Sequence, residues 1–150
     1  MRALIQRVTQ ASVIVGGEET GRISAGLFVL AGFETSDTSA DADAAAAKIC
    51  KLRVFDDRNG MMNLSLVEFG GSILVVSQFT LHAQTRKGNR PSYFKAAPPE
   101  AALPLYKRFI EALARYSGVA VQTGVFGAYM QVAIVNDGPV TIMIDTKSGD

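Results

Sequence analysis

The chain has 150 residues, of which 48% are hydrophobic and 19% charged, and 15 basic residues nearly balance 14 acidic ones. These values exclude a disordered chain, and no apolar run approaches the ~20 residues that cross a bilayer. A net charge of +1 argues against a protein that coats nucleic acid over a wide surface, because such binding depends on releasing many counterions. We predict one domain covering residues 1–150.

The N-terminus and the single cysteine bear on the cellular compartment. Arg2 and Arg7 flank only a few apolar residues before Thr9 and Gln10, which is not the pattern of a secretory signal. Cys50 is the only cysteine, so we expect no internal disulfide and predict a buried structural thiol. The prediction is a cytoplasmic protein without a membrane partner.

Strands dominate the first part of the chain. Apolar patterns predict them at residues 4–8, 11–15, 20–23 and 26–32, with a turn at Gly16-Gly17. The stretch 26–32 is apolar almost throughout, which favours a central strand buried on both faces. An alanine-rich helix is predicted from about residue 40 to 52, with Asp37 or Ser39 as its N-cap.

A second helix follows further along the chain. Pro98 and Pro99 open it, and it is predicted to run to about Tyr116. One face of this helix is apolar and consists of Leu103, Tyr106, Phe109, Ile110 and Leu113. Two main helices against many strands with short connections predict an α+β or α/β fold with a curved, largely antiparallel sheet.

Polar residues follow a strand of strongly apolar character at the segment Ser77-Gln78-Phe79-Thr80-Leu81. Residues 72–76 predict a buried strand, so this segment places hydroxyl, amide and backbone N–H groups at the rim of a sheet. Binding pockets are commonly built at such places. The alternative is a strand end at which Ser77 and Thr80 bond only to nearby backbone.

The segment Asn136-Asp137-Gly138-Pro139-Val140-Thr141 interrupts two apolar runs, residues 130–135 and 140–144. Asp-Gly between such runs predicts a hairpin. Pro139 removes one N–H near the start of the returning strand, and the bond before it is of the kind that adopts the cis form at least cost. The segment is either a tight turn or a rigid main-chain edge with no side chain at Gly138.

A basic loop directly follows the first polar segment. Between His82 and Pro99 lie Arg86, Lys87, Arg90 and Lys95, with no acidic residue. A loop of this kind beside a pocket suits phosphate contact, and recognition of one accessible RNA end fits the small total charge. The alternative is a solvated surface loop.

Familiar catalytic and metal-binding patterns are missing from the sequence. His82 is the only histidine, so no histidine-based metal cluster is expected, and Cys50 has no histidine partner at a suggestive spacing. Thr80 and His82 would face the same side of a continuing strand. A lone histidine there is more often exposed or packed, and we assign it no role. No nucleotide-binding motif is present either, so we expect neither a cofactor nor a metal.

Taken in chain order, five stretches resemble the D-aminoacyl-tRNA deacylase family. They are residues 3–8, the Ser77–Leu81 segment, the loop 86–92, residues 122–126 and the segment 136–141. The similarity covers nearly the whole chain except a polar tail from Thr146 to Asp150. It implies a barrel-like core, a homodimer, and hydrolysis of the ester in D-aminoacyl-tRNA without a metal or cofactor.

The resemblance also implies roles for the first polar segment. Thr80 would be the nucleophile or would orient the water, although a route assisted by the RNA ribose hydroxyl stays open. Gln78 would orient the ester or the adenosine, Ser77 would support it, and backbone N–H groups near Phe79 and Thr80 would stabilise the oxyanion. Arg86, Lys87, Arg90 and Lys95 would contact the tRNA.

The segment around Gly138 and Pro139 gains a role from the same resemblance. In the family this bond is cis and reaches into the active site of the opposite subunit, so it would reject an L side chain and tolerate glycine. Arg7 would hold that edge, and Asn136 would belong with Arg7, Gly138 and Pro139 to the substrate-binding residues. Two alternatives remain, namely a deacylase that edits small L-aminoacyl-tRNAs and a noncatalytic module that binds the tRNA end.

Overall fold

A computed structural model describes residues 1–149. Its strands are β1 Arg2–Val15, β2 Glu18–Ile23, β3 Gly26–Gly32, β4 Phe55–Asp56, β5 Met62–Leu64, β6 Ser72–Ser77, β7 Val121–Thr123 and β8 Gln131–Asp145. Its helices are α1 Ser39–Lys51, α2 Leu66–Phe69 and α3 Pro99–Ser117, and a 3-10 turn covers Phe79–His82. The two main helices are confirmed, whereas the one-turn helix α2 was not predicted.

Strand β1 organises the main sheet. The sheet runs in the order β2-β1-β3-β6-β7. Strands β2 and β3 pair with two successive parts of one edge of β1, and β8 pairs with its opposite edge. Every ladder of β1 is antiparallel, while β3–β6 and β6–β7 are parallel. Residues 2–15 form one strand, so the two separate strands predicted at 4–8 and 11–15 are wrong: the polar pair Thr9-Gln10 is accommodated within the strand.

The sheet curves until its ends nearly meet. A Cβ added at Gly21 of β2 would lie 2.7 Å from the carbonyl oxygen of Thr123 in β7, a separation that only glycine permits. The result is a nearly closed, barrel-like sheet. The predicted curved sheet is therefore confirmed, with a parallel portion that the sequence patterns did not indicate.

Two apolar clusters lie on opposite faces of the sheet. In β6, Ile73 and Val75 belong to the cluster that also contains residues of α1 and α3, whereas Leu74 and Val76 belong to the second cluster. Alternate side chains of one strand are therefore buried on both faces, which explains why residues 26–32 and 72–76 are almost continuously apolar.

The N-cap of α1 is Thr38, so the prediction of Asp37 or Ser39 is wrong. The Thr38 backbone N–H donates to Asp41 Oδ2 at 2.9 Å, and Thr38 and Asp41 form a capping box. Asp37 instead binds the N-terminal ammonium of Met1. The acid three residues after the cap decides the position, because it satisfies the backbone N–H of the cap residue.

Segment 136–141 is not a hairpin, and that prediction is wrong. Strand β8 runs antiparallel to β1 on both sides of the segment, with Gln6 opposite Thr141 and Val8 opposite Asn136. Residues 137–140 therefore form a bulge opposite Arg7, within one continuous strand. A bulge is a place where a strand tolerates proline, because the missing N–H is not required for the ladder. The Gly138-Pro139 peptide bond is cis.

Candidate active site

The polar segment after β6 forms a turn that packs on the end of β3. The Gln78 backbone N–H donates to the Ala31 carbonyl at 2.7 Å, and the 3-10 turn Phe79–His82 begins immediately afterwards. A Cβ added at Gly32 would lie 2.6 Å from the Gln78 carbonyl oxygen. Glycine at position 32 therefore lets the turn sit directly against the strand.

Side chains fix this turn from two directions. Gln78 Nε2 donates to Thr80 Oγ1, so the amide controls the orientation of the hydroxyl. From β1, Arg2 Nη1 donates to the Leu81 carbonyl at 2.9 Å. The N–H groups at the start of a helical turn have no partner in a preceding turn. Those of Phe79 and Thr80 are thus placed as donors to a bound group.

A cavity of about 580 Å³ lies beside the turn. Ser77, Gln78 and Phe79 form part of its wall, and Thr80 is connected to that wall through Gln78. Most of the remaining wall is apolar or aromatic and includes Phe33, Tyr93, Ala96, Ala97, Phe126, Tyr129 and Met130. The volume is that of a site for a small ligand or one end of a larger one.

Aromatic side chains stand at the mouth of this cavity. Phe79 and Tyr93 meet edge to face, with ring centroids 5.0 Å apart. Phe79 is 56% exposed and Tyr129 is 88% exposed. Exposed rings of this kind offer stacking surfaces for a planar ligand group.

The predicted basic loop borders the cavity. Backbone hydrogen bonds between Gln84 and Ser92, of 2.8 and 3.0 Å, close the base of the loop. Its basic side chains, Arg86, Lys87, Arg90 and Lys95, are exposed. Within residues 1–149 none of the four forms an ion pair, so their charges are free to meet an anion.

The side chain of Arg7, on β1, holds the bulge in β8. This side chain is only 10% exposed, and its Nε donates to the Asp137 carbonyl at 3.1 Å. Its Nη1 donates to the Val54 carbonyl at 2.7 Å and to Asp56 Oδ1 at 3.2 Å. A buried guanidinium with this many partners is rigid.

Asn136 braces the same bulge from within β8. Its Oδ1 accepts from the Val140 backbone N–H at 3.2 Å, and its Nδ2 donates to Thr141 Oγ1 at 3.0 Å. Gly138 and Pro139 themselves are exposed. The structure therefore presents the Gly138-Pro139 bond as a braced surface projection.

Within one chain, the bulge and the cavity do not form one site. Neither Arg7, Gly138 nor Pro139 lines the cavity. Arg7 pairs with Leu27, and the cavity wall on β3 begins at Ala31, about 13 Å further along the strand at the usual rise per residue. In one chain, residues 77–80 and the bulge therefore lie at separate places along the sheet.

The structure also places residues for which the sequence offered no catalytic signal. Phe33, Tyr93 and Tyr129 belong to the cavity wall. None of the three lies in a stretch that resembles the family, and in the segment before β8 only residues 122–126 do. Such residues are identified by the way β3, the basic loop and the segment before β8 converge, which no single stretch of sequence reveals.

Cys50 and His82 are both buried. Burial raises the pKa of the Cys50 thiol to about 11, so it stays protonated near neutral pH. The predicted structural role of this thiol is consistent with that state. His82 is packed at the end of the 3-10 turn.

Residues 1–149 contain neither a cluster of metal ligands nor a membrane-spanning helix. No group of three or more potential metal ligands occurs among them. None of their helices has the length and apolar character needed to cross a membrane.

The model of the D-Tyr-tRNA(Tyr) deacylase family matches residues 4–145. The chain belongs to this family. Relatives named D-aminoacyl-tRNA deacylase, from Flavobacterium johnsoniae and Porphyromonas gingivalis, are 54% and 56% identical over 148 residues, and the matches cover 99% of each chain. The family assignment thus rests on nearly the full length.

Two solved structures share the fold of this family member. One, described as a c-Myc DNA unwinding element binding protein, has a TM-score of 0.91 and 45% identity, covering 97% of this chain and 98% of the other. The second, described as a probable eukaryotic D-amino acid tRNA deacylase, has a TM-score of 0.82. At 20% identity, with 95% and 97% covered, the second match shows the fold alone.

Proposed function

We propose that this chain hydrolyses the ester between a D-amino acid and the 3′ end of tRNA. The observation that carries the proposal is the turn 77–80, whose hydroxyl, amide and backbone N–H groups stand beside a cavity that adjoins an unpaired basic loop. Family membership supports the same reaction. The cavity would take the aminoacyl end, and the loop would contact nearby phosphates.

The chemistry requires modest catalytic groups because the substrate is activated. An ammonium group beside the carbonyl and a vicinal ribose hydroxyl make the aminoacyl ester labile. Water, oriented by Thr80 or by the ribose hydroxyl, attacks the carbonyl carbon, the bond to the ribose oxygen breaks, and that oxygen takes a proton. The N–H groups of Phe79 and Thr80 would stabilise the oxyanion, an effect worth roughly 2.7–4 kcal/mol per donor in known enzymes.

Chirality would be read by exclusion at the Gly138-Pro139 edge. A rigid backbone projection clashes with a side chain in the L orientation and leaves the D orientation free. Arg7 and Asn136 supply the rigidity. Since glycine has no side chain to exclude, glycyl-tRNA would also be hydrolysed.

This filter requires a homodimer, in which each edge completes the cavity of the partner. Strand β8 pairs with β1 on one edge, and within residues 1–149 no strand pairs with its other edge. The same strand carries the exposed apolar side chains Val132, Val135 and Met143. An exposed strand edge with apolar residues is a natural surface for association.

Comparison of four substrates, D-tyrosyl-, glycyl-, L-tyrosyl- and L-alanyl-tRNA, tests the proposal. We expect rapid hydrolysis of D-tyrosyl-tRNA, slower hydrolysis of glycyl-tRNA, and hydrolysis of L-tyrosyl-tRNA no faster than the uncatalysed rate. Rapid turnover of L-alanyl-tRNA with none of the D substrate would instead support an editing enzyme for small L residues. Binding of tRNA without any turnover would identify a noncatalytic module.

A further inference from the structure

We propose that His82 is a positioning residue of the deacylase, which holds the 3-10 turn in its active arrangement while the imidazole is neutral and displaces it when the imidazole is protonated. This inference rests on the role proposed above for the turn. His82 touches neither the cavity nor the groups assigned to the chemistry, so it would act through the backbone that carries Phe79 and Thr80.

The packing around His82 leaves little room for movement. The side chain is 3% exposed and ends the turn. A Cβ added at Gly32 would lie 3.2 Å from His82 Cδ2, 3.2 Å from Leu81 Cβ and 2.6 Å from the Gln78 oxygen. The ring and the turn therefore rest together on the end of β3, and a shift of one displaces the other.

The two ring nitrogens of His82 differ in their surroundings. Nδ1 lies 3.8 Å from Glu34 Oε2, which is too far for a hydrogen bond. Among residues 1–149, Nε2 of His82 is the one buried side-chain nitrogen or oxygen without a hydrogen-bond partner. Buried polar groups are nearly always paired, so this exception calls for a physical reason.

Protonation would change both contacts. A neutral ring with its proton on Nδ1, facing Glu34, leaves Nε2 as a bare acceptor. A protonated ring has two N–H donors and a charge, so it must approach Glu34 and find a partner for Nε2. Because the ring and the turn pack together against Gly32 at the end of β3, we infer that either adjustment moves the turn.

The nearby charges act in opposite senses. Just after β3, Glu34 places a carboxylate beside the ring, and its other oxygen accepts from Ser36 Oγ at 2.8 Å. On β1, Arg2 reaches the Leu81 carbonyl and disfavours a second cation, although Asp145 of β8 pairs with it at 2.9 Å. Arg2 thus fixes one side of the turn while the other side depends on His82.

The sequence makes this inference unusually open to measurement. His82 is the only histidine in the chain, and histidine is the side chain whose ordinary pKa lies between pH 5 and 8. A histidine-specific isotope label therefore gives a single imidazole signal, whose titration is followed by NMR independently of activity.

The experiment compares wild type with His82→Phe, which keeps a ring without a charge, and with His82→Gln, in case the first variant fails to fold. We measure kcat and KM on D-tyrosyl-tRNA from pH 5 to 8, and the imidazole titration of the wild type. Titration of the substrate is common to all three proteins, so it cancels in the ratio of variant to wild-type kcat.

We expect that ratio to rise by about tenfold for each pH unit below the wild-type imidazole midpoint, as the neutral fraction falls, with KM little changed. Backbone amide signals of Phe79 and Thr80 should shift with the same midpoint. The inference would be overturned by a ratio of variant to wild-type kcat that does not depend on pH in a folded variant. It would also be overturned by amide signals of Phe79 and Thr80 that do not change as the imidazole titrates. If the wild type does not hydrolyse D-tyrosyl-tRNA, the proposed function fails, and the amide signals still decide whether His82 moves the turn.

Discussion

At the scale of single residues, the hydrogen bond from Gln78 to Thr80 is the contact on which the chemistry depends most directly. It fixes a hydroxyl next to the backbone N–H groups of Phe79 and Thr80, at the start of the 3-10 turn. A threonine held in this way either attacks or orients water, while the ribose hydroxyl of the substrate is the competing source of catalysis. Substitution of Thr80 separates these routes.

Replacement of Thr80 by alanine is predicted to lower kcat by about 100-fold, the lower end of the effect of a positioned proton-transfer group. Affinity for tRNA should hardly change, because the phosphate contacts lie on the basic loop. Thr80→Ser, which keeps the hydroxyl, is the matched control and should recover much of the rate. Wild-type kcat in a folded Thr80→Ala protein would assign the chemistry to the ribose hydroxyl.

Gly138 is the second residue whose identity matters. Its φ is +127°, and an added Cβ would meet the Val140 N–H at 3.1 Å and Arg7 Nη2 at 3.2 Å. Alanine at this position is therefore strained and pushes against the side chain that holds the bulge. We predict that Gly138→Ala lowers kcat for D-tyrosyl-tRNA and changes the ratio of D to L rates.

The control for this variant is Gly60→Ala. Gly60 also has a positive φ, of +72°, but an added Cβ there meets nothing within 4 Å. Both substitutions should reduce the free energy of unfolding, by about 1 kcal/mol or more, and only Gly138→Ala should alter selectivity. An unchanged ratio of D to L rates in the Gly138 variant would remove the edge from the chiral filter.

At the scale of elements, the basic loop is a separate unit clamped at Gln84 and Ser92. Its charges have no ion-pair partners within residues 1–149, so they act at long range on a polyanion. Since the clamp lies at the base, changes at the tip of the loop should leave the turn 77–80 in place. Binding and chemistry are thus carried by neighbouring but separable segments.

The double substitution of Arg86 and Lys87 by alanine is predicted to raise KM for aminoacyl-tRNA and to leave kcat nearly unchanged. The slope of log affinity against log salt should fall by about one to two, roughly one for each lost phosphate contact. The control removes two exposed cations elsewhere, Arg58 and Lys107. If the two double variants change KM and the salt dependence equally, the net charge of the protein, and not the position of the basic loop, determines tRNA affinity.

At the scale of the whole molecule, the separation of the bulge from the cavity determines whether one chain alone could form the proposed selective site. About 13 Å of strand separates Arg7 from the start of the cavity wall on β3. A site that uses both would combine two chains, and within residues 1–149 no strand pairs with the outer edge of β8, where we propose that the contact forms. The dimer is thus a requirement of the proposed selectivity.

Mixing two inactive variants tests this arrangement. If Thr80→Ala and Gly138→Ala are each inactive, a dimer that contains one of each has one wholly wild-type site. After unfolding and refolding together in equal amounts, about a quarter of wild-type activity should return, because half of the dimers are mixed and half of their sites are intact. The absence of any recovery, with mixed dimers detected by mass spectrometry, would contradict a shared site.

Much of the fold was predictable because local patterns decide it. The apolar face of Tyr106, Phe109 and Leu113 specifies α3, and the continuous apolar run 26–32 specifies a strand buried on both faces. Predictions failed where an interaction outside the local pattern decided the outcome. Thr38 became the cap because Asp41 lies three residues later, and β1 continued through Thr9-Gln10 because β8 pairs with it on both sides of Thr9, with Val8 opposite Asn136 and Gln10 opposite Val135.

The sequence by itself determined the strands at residues 20–23, 26–32 and 72–76, the two main helices and the two polar segments, because hydrophobic periodicity and motif residues are properties of neighbours along the chain. Only the tertiary structure decided that residues 137–140 are a bulge, since the same apolar runs could form a hairpin or pair with one long strand. It also decided that the side chain of His82, the last residue of the 3-10 turn, is buried and that Arg7 does not line the cavity. These outcomes depend on contacts between residues far apart in the chain, and local patterns carry no information about which distant strand supplies them.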